Sequence, residues 1–191
     1  FERLNDSLET LSSGADTNWK KIALPDQANV WPPASPKLRA GYRIVEVQSD
    51  AYRLVRDALV DIENATYEPA RQDDMDEFGE LLREEGSLCL VALQGEGELG
   101  DATVAGMAFA FPLRCFEHIP GPDTDPMLSA GRVLYSADIC VHPEHRGEGL
   151  GAALKHAQIT AAMELRDPQG NRRYDFMTGR NRIGATDAMQ A

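Results

Sequence analysis

The sequence lacks a long apolar run, a secretory signal and a basic surface, and each absence excludes a class of protein. No run of apolar residues is long enough to cross a bilayer. Phe1 to Leu4 show neither the basic start nor the apolar stretch of a signal peptide. With 31 acidic residues against 19 lysines and arginines, the formal net charge is −12, which disfavours binding to nucleic acid or to an anionic membrane. We therefore expect a cytoplasmic protein with no nucleic-acid partner and no membrane partner.

Cysteine is also scarce, and its placement argues against a metal or disulfide framework. The three cysteines, Cys89, Cys115 and Cys140, are odd in number and widely spaced. His142 and His145 stand three residues apart but have no further ligand nearby in the sequence, so we predict no metal site. The acidic surface could attract a cationic amine, or it could serve solubility alone.

The chain divides at Tyr42 into an irregular segment and a regular one. Residues 1–41 are of mixed character, and the proline-rich stretch 31–36 cannot continue a helix or a central strand. We expect this segment to be an N-terminal extension or linker on the surface of one domain, residues 42–191. Because the chain begins without Met and ends inside a predicted helix, we expect it to be part of a longer one.

From Tyr42 onward, hydrophobic periodicity predicts the order β, α, α, β, β, β, α, β, α. Apolar and β-rich runs predict strands, and apolar residues at helical spacing predict helices. The strands are expected at 42–47, 87–94, 103–111, 134–141 and 174–177, and the helices at 49–62, 73–85, 150–165 and 184–191. Antiparallel hairpins followed by a β-α-β crossover predict an α/β fold with a mixed, mostly antiparallel sheet and helices on both faces.

One segment, His142 to Gly151, carries a recognisable chemistry. The strand before it ends at Val141, Pro143 forces a turn, and a helix starts directly after the glycines. Glycines let the backbone bend and approach a ligand closely. The first turn of a helix has unpaired N–H groups and a positive partial charge. The segment therefore predicts a cradle for a phosphate or pyrophosphate.

The spacing within this segment narrows the choice of anion. No Lys follows Gly149 or Gly151, as a Walker motif would need, and the third glycine of a Rossmann motif is missing. The pattern that fits is Arg-x-x-Gly-x-Gly, at Arg146, Gly149 and Gly151, preceded by Val-x-Pro-Glu-x-Arg-Gly. This pattern resembles motif A of the GNAT N-acetyltransferase superfamily.

A literal Gly-x-Gly-x-x-Gly also occurs, at Gly95, Gly97 and Gly100. A strand rather than a helix follows it, and Glu96 and Glu98 would repel a pyrophosphate. We interpret this segment as a hairpin loop.

The resemblance to GNAT enzymes implies acetyl-CoA as acyl donor, or another acyl-CoA, and transfer of the acyl group to a primary amine by direct attack. It implies that the strand ending at Val141 splays from the following strand, with the pantetheine arm in the gap and the N–H of Cys140 or Val141 polarising the thioester. A homodimer is compatible with it. The implied CoA-binding residues are Ile139, Cys140, Val141, Arg146, Gly147, Glu148, Gly149, Leu150, Gly151, Ala152 and Asn181. Asn181 is also expected to cap the final helix.

The catalytic groups are less sharply indicated than the CoA loop. Asp138 and Tyr135 are the titratable residues of the central strand, and strand alternation places them on opposite faces unless a bulge intervenes. Asp138 is a candidate base and Tyr135 a candidate catalytic residue. Four residues are candidates for the acceptor side: Glu63, Glu68, Glu117 and His118.

The chain departs from the family in two ways. The family's Tyr, the acid that protonates the leaving thiolate, has no counterpart near Ala188 or Met189, and two closing strands are missing. These departures leave two alternatives open. One is a non-catalytic acyl-CoA sensor or interaction module of the same fold, and the other is a nucleotide-phosphate binder using the same turn.

Overall fold

One sheet organises the structure, a computed structural model that describes residues 9–12, 17–24, 38–118 and 122–182. Its described strands lie in the order β1-β2-β7-β6-β5-β4-β3, and among them only β6 and β7 run parallel. The strands are β1 (Glu9–Ser12), β2 (Thr17–Ala23), β3 (Tyr42–Glu46), β4 (Leu88–Gln94), β5 (Thr103–Pro112), β6 (Val133–Val141) and β7 (Phe176–Arg182). The helices are α1 (Arg56–Thr66), α2 (Met75–Leu81) and α3 (Leu150–Glu164). The predicted mixed, mostly antiparallel sheet is confirmed.

The central strands are apolar on both sides because helices cover both faces of the sheet. Bulky aromatic residues of β5, Phe109 and Phe111, pack beneath α1 and α2, with Phe78 edge-on to both rings. On the opposite face the strands present small residues such as Ala92 and Ala108, against which α3 packs. Burying both faces explains why β4 and β5 are continuous apolar runs rather than alternating ones.

A β-bulge in β6 changes the direction of its side chains. Phe109 of β5 is paired with Asp138, and Ala110 is paired with Ser136, so Ala137 has no partner of its own. An inserted residue reverses the alternation beyond it. As a result Tyr135 and Asp138 share the face that α1 covers, and the bulge that the sequence left open is present.

Strands β6 and β7 pair over only part of their length. Their parallel pairing runs from Val133 opposite Phe176 to Ser136 opposite Gly179. Beyond this point β7 continues to Arg182 paired with β2, whereas β6 continues to Val141 paired with β5. The two strands therefore form a fork, which we call the β6–β7 fork, closed at Ser136 and open towards Val141.

The N-terminal segment, which the sequence predicts to be an extension or linker on the surface of the domain, contributes two described strands. β1 and β2 form a hairpin that pairs with β7. An edge strand has unpaired N–H and C=O groups that another segment can satisfy, and such pairing needs little apolar sequence. The proline-rich stretch 31–36 lies outside the described residues.

The C-terminal part of the described chain continues as a strand. Asn181 lies inside β7, paired with Asn18, so it does not cap a helix, because pairing with β2 extends the strand beyond its predicted end at Met177. The helix predicted at 184–191 lies outside the described residues.

Within the described ranges, no helix combines the length and hydropathy needed to span a bilayer.

Candidate active site

The predicted anion cradle lies between β6 and α3. A short 3-10 turn, Pro143–His145, is followed by Gly147 and Gly149, both with left-handed backbone angles of φ 82° and φ 76°. Helix α3 begins directly after Gly149, and the N–H of Ala153 donates to the Gly149 carbonyl at 3.0 Å. The N–H groups at positions 150–152 therefore precede the first intrahelical bond and are available to an anion.

Open space faces this helix start. A β-carbon placed on Gly147 or Gly149 would meet no atom within 4 Å, and one on Gly151 would meet only Val141 Cγ2 at 3.9 Å. A cleft of about 280 Å³ lies here. Its lining is Val141, His145, Arg146, Gly147, Gly149, Leu150, Gly151 and Ala152. The residues present thus fit a pyrophosphate, since donors line a concave space that side chains would fill.

Arg146 connects the cradle to the fork. Its Nε donates to the Val141 carbonyl at 3.1 Å, and one of its terminal nitrogens donates to Thr66 Oγ1 at 3.4 Å. The guanidinium therefore holds the open end of β6 against the end of α1 and brings positive charge to the mouth of the cleft. The side chain of Glu148 is ion-paired with Arg39, which offsets a negative charge inside an anion-binding loop.

The direction of the backbone N–H groups along β6 distinguishes the two predicted oxyanion donors. The N–H of His142 donates to the Ala105 carbonyl of β5 at 3.0 Å. N–H directions alternate along a strand. The N–H of Cys140 therefore also points towards β5, whereas the N–H groups of Ile139 and Val141 point into the fork. Val141 is therefore the better placed of the two expected donors.

Asp138 lies at the bulge in a pocket beneath α1. The hydroxyl of Tyr67 donates to its Oδ1 at 3.3 Å, while Oδ2 is buried and has no hydrogen-bond partner among the described residues. Burial, reinforced by the nearby acids Glu63 and Asp73, raises the pKa of Asp138 to about 7. A carboxyl with this pKa can accept a proton near neutral pH.

Glu63 of α1 is an acidic neighbour of Asp138. It is 2% exposed, and its Oε1 accepts the Asp73 N–H at 2.7 Å. Its Oε2 is buried without a hydrogen-bond partner within the described ranges. Burial raises the pKa of Glu63 as well. The helix-end position of Glu63 is visible in the sequence, but its burial is not.

Cys140 completes this cluster without acting as a thiolate. One ligand atom each of Glu63, Asp138 and Cys140 lie within 4.8 Å of one another, close enough to share a cation. Cys140 Sγ donates to Thr66 Oγ1 at 3.1 Å, and burial raises the pKa of the thiol to about 11. A neutral thiol is a poor nucleophile and a poor metal ligand. Cys140 is best explained as a small packing residue.

The remaining candidate residues differ in how deeply they are buried. Tyr135 is 5% exposed and its ring centroid lies 4.4 Å from that of Phe116, so it packs in the core, on the face of β6 that also carries Asp138. Glu68, Glu117 and His118 are exposed. Tyr67 was missed, because the sequence does not show that the end of α1 lies over the bulge.

Each of the two loop histidines contacts a neighbouring residue of the protein. His145 Nδ1 is 3.0 Å from the hydroxyl of Tyr42, and the His142 side chain accepts the N–H of Glu144.

The Gly95–Gly100 segment joins the antiparallel pair β4 and β5, as predicted for a hairpin loop.

Comparisons with known proteins agree with this geometry. The model of the Acetyltransferase (GNAT) family matches residues 53–178. The chain belongs to this family. The match runs from just before α1 to the start of β7 and includes the anion cradle and the bulge. No curated protein matches the sequence.

Solved structures of GNAT proteins share the fold. An aminoglycoside acetyltransferase from an uncultured soil metagenomic sample, in complex with trehalose, has 14% identity and a TM-score of 0.53, with 78% of this chain and 84% of that one covered. A tandem GNAT protein from the clavulanic acid biosynthesis pathway has 16% identity and a TM-score of 0.52. That match covers 95% of this chain and 50% of the tandem protein.

Proposed function

We propose that the protein is an acyl-CoA-dependent N-acyltransferase that transfers an acyl group, acetyl in the first instance, to a primary amine. The observation that carries this proposal is the juxtaposition of three features on β6. The anion cradle follows its end, the fork exposes one edge, and Asp138 with a pKa of about 7 stands at its bulge. Membership of the GNAT family supports the same conclusion.

The chain's own residues can hold acyl-CoA along β6. The backbone N–H groups at 150–152 and the charge of Arg146 would bind the pyrophosphate. The exposed edge of β6, with Ile139 and Val141, would pair with the pantetheine amides, so that the thioester lies deeper in the fork, towards Ser136. Bound acyl-CoA supplies the activated thioester. Asn181 stays a proposed CoA contact, on the β7 side of the fork.

Asp138, on the face of β6 that α1 covers, would act as the general base. An alkylamine is an ammonium ion at neutral pH and must lose a proton before it can attack. The Asp138 carboxylate takes that proton, while the Tyr67 hydroxyl holds its Oδ1 in place. Tyr135, on the same face of β6 as Asp138, stays a proposed catalytic residue. The remaining rate enhancement comes from positioning the two substrates.

The acidic surroundings favour a cationic acceptor. Glu63, Asp73 and Asp138 lie together at the end of α1, and burial raises the pKa of each. An ammonium group in this pocket would satisfy the buried oxygens of Glu63 and Asp138. We propose that the reaction needs no metal and takes place in the cytoplasm. We also propose that neither nucleic acid nor membrane is a partner, and that a homodimer is the assembly to test.

Release of free CoA thiol tests the proposal. Purified protein is mixed with acetyl-CoA, or with longer acyl-CoAs, and a panel of primary amines, and thiol is measured with a chromogenic disulfide. We expect steady thiol release that depends on both substrates and falls by about 10²-fold or more in the Asp138→Asn variant. CoA binding without amine-dependent release would contradict the proposal and favour a sensor. Tight ATP binding that CoA cannot displace would favour a nucleotide-phosphate binder.

A further inference from the structure

Lys155 of α3 places an ammonium group at the closed end of the β6–β7 fork. Its Nζ lies 3.1 Å from Ser136 Oγ, 3.2 Å from Gln158 Oε1 and 3.6 Å from Met177 Sδ. Ser136 belongs to β6 and Met177 to β7, so the lysine contacts both strands. Ser136 is also the last residue of β6 that pairs with β7. The ammonium therefore marks the point where the two strands separate.

This cation has no charged counterpart among the described residues. Its three contacts on β6, α3 and β7 are a hydroxyl, an amide oxygen and a thioether, all neutral. Burial alone lowers the pKa of Lys155 to about 8, and no described carboxylate opposes this shift. At pH 7 the group is thus a protonated, poorly solvated acid, which an anion beside it would stabilise.

The position of Lys155 matches one end of a ligand that lies in the fork. From Val141 at the open end to Ala137 at the closed end there are four residue steps, about 13 Å of extended strand. A ligand whose pyrophosphate is held at the start of α3 would run inward along this edge and end beside Lys155. Asp138 faces α1, whereas Lys155 lies on α3, so the two titratable groups approach the fork from opposite faces.

We propose that Lys155 is the acid that protonates the CoA sulfur when the acyl group leaves, a role that rests on the proposed acyltransferase function. The amine nitrogen bonds to the carbonyl carbon, and the carbon–sulfur bond breaks with its electron pair on sulfur. Lys155 Nζ gives a proton to that sulfur, and Asp138 takes the proton released by the ammonium. Solvent then restores Lys155 to its protonated form.

The ionisation of the two titratable groups at the fork suits these roles. The pKa of Asp138 is raised to about 7, and the pKa of Lys155 is lowered to about 8. A base and an acid whose pKa values lie this close together can work at the same pH.

The test measures ionisation of the CoA thiol in the binary complex, without turnover. Ultraviolet absorbance of the thiolate is followed against pH for CoA bound to the wild-type protein and to Lys155→Met. We expect the bound thiol in the wild-type protein to have a pKa below that of free CoA. In Lys155→Met it should be higher by about one unit or more, tenfold in the ionisation constant. Equal values in the two proteins, or a wild-type value at or above that of free CoA, would overturn the proposal.

Two controls separate this role from packing and from CoA binding. Lys155→Arg keeps the positive charge, so the bound thiol should stay acidic, whereas kcat should fall because guanidinium does not release its proton near neutral pH. A CoA analogue without the sulfur atom should bind wild-type protein and Lys155→Met equally. If it binds Lys155→Met much more weakly, Lys155 is a packing residue and the inference fails. If wild-type protein binds neither CoA nor the analogue, the proposed function itself fails.

Discussion

At the scale of single residues, burial decides what the carboxyl groups around Asp138 can do. The same residue type on the surface, such as Asp57, is solvated and ion-paired with Arg56. Asp138 instead has one oxygen held by Tyr67 and the other enclosed. The sequence identified Asp138 from its strand position, but it could not show that Glu63 and Tyr67 surround it, because those contacts depend on how α1 crosses the bulge.

Replacing Asp138 by Asn removes the proposed base with little change in shape. We expect kcat to fall by about 10²- to 10⁴-fold, while affinity for CoA stays the same because the cradle is untouched. Steady-state kinetics and calorimetry measure the two effects. Full activity in the folded variant would show that another group takes the proton.

The same substitution has a pH-dependent effect on stability. The folded-state pKa of Asp138, about 7, lies above its unfolded value, so the wild-type protein loses stability as pH rises from about 4 to about 7. Asn does not ionise. The Tm of Asp138→Asn should therefore gain on the wild-type Tm between pH 5 and pH 8. A Tm difference that is the same at both pH values would mean that Asp138 is not protonated preferentially in the folded state.

Glu63 offers a second test at this scale. Glu63→Gln removes an acidic neighbour that raises the pKa of Asp138. Because the base is active when deprotonated, the acid limb of the kcat/KM profile should move to lower pH. Glu68→Gln, at an exposed position near the same helix end, is the matched control and should leave the profile in place. An unmoved limb in Glu63→Gln would uncouple the two carboxyls.

At the scale of secondary-structure elements, an element can be predicted from the sequence only when local residues encode the contacts that stabilise it. Strands β4 and β5 and helix α3 were predicted because apolar residues alone define them. The bulge at Ala137 depends on the register between β5 and β6, which no local pattern encodes. The pairing of β2 with β7 likewise depends on an available sheet edge.

Arg146 tests the element that joins the cradle to the fork. Arg146→Ala removes a positive charge and two hydrogen bonds, to the Val141 carbonyl and to Thr66. We expect weaker CoA binding with a smaller dependence on salt, measured by titration over a range of ionic strength. If CoA affinity and its salt dependence are unchanged and only the Tm falls, Arg146 is structural.

At the scale of the whole molecule, the net charge of −12 acts on every charged substrate. A cationic acceptor is attracted by this field, and added salt screens the attraction. We expect kcat/KM to fall more steeply with ionic strength for a diamine than for a monoamine of the same length. Parallel curves for the two acceptors would mean that the surface charge serves solubility alone.

The central claim is that the amides at the start of α3 bind the CoA pyrophosphate, and CoA titration into Gly151 variants tests it most directly. Gly151 has room for a side chain on the cleft side, since a β-carbon at this position would lie 3.9 Å from Val141 Cγ2. Gly151→Glu and Gly151→Gln are equal in size and differ in charge. The account predicts that calorimetry detects no CoA binding to the folded Gly151→Glu variant and weakened binding to Gly151→Gln. Wild-type affinity in folded Gly151→Glu would contradict it.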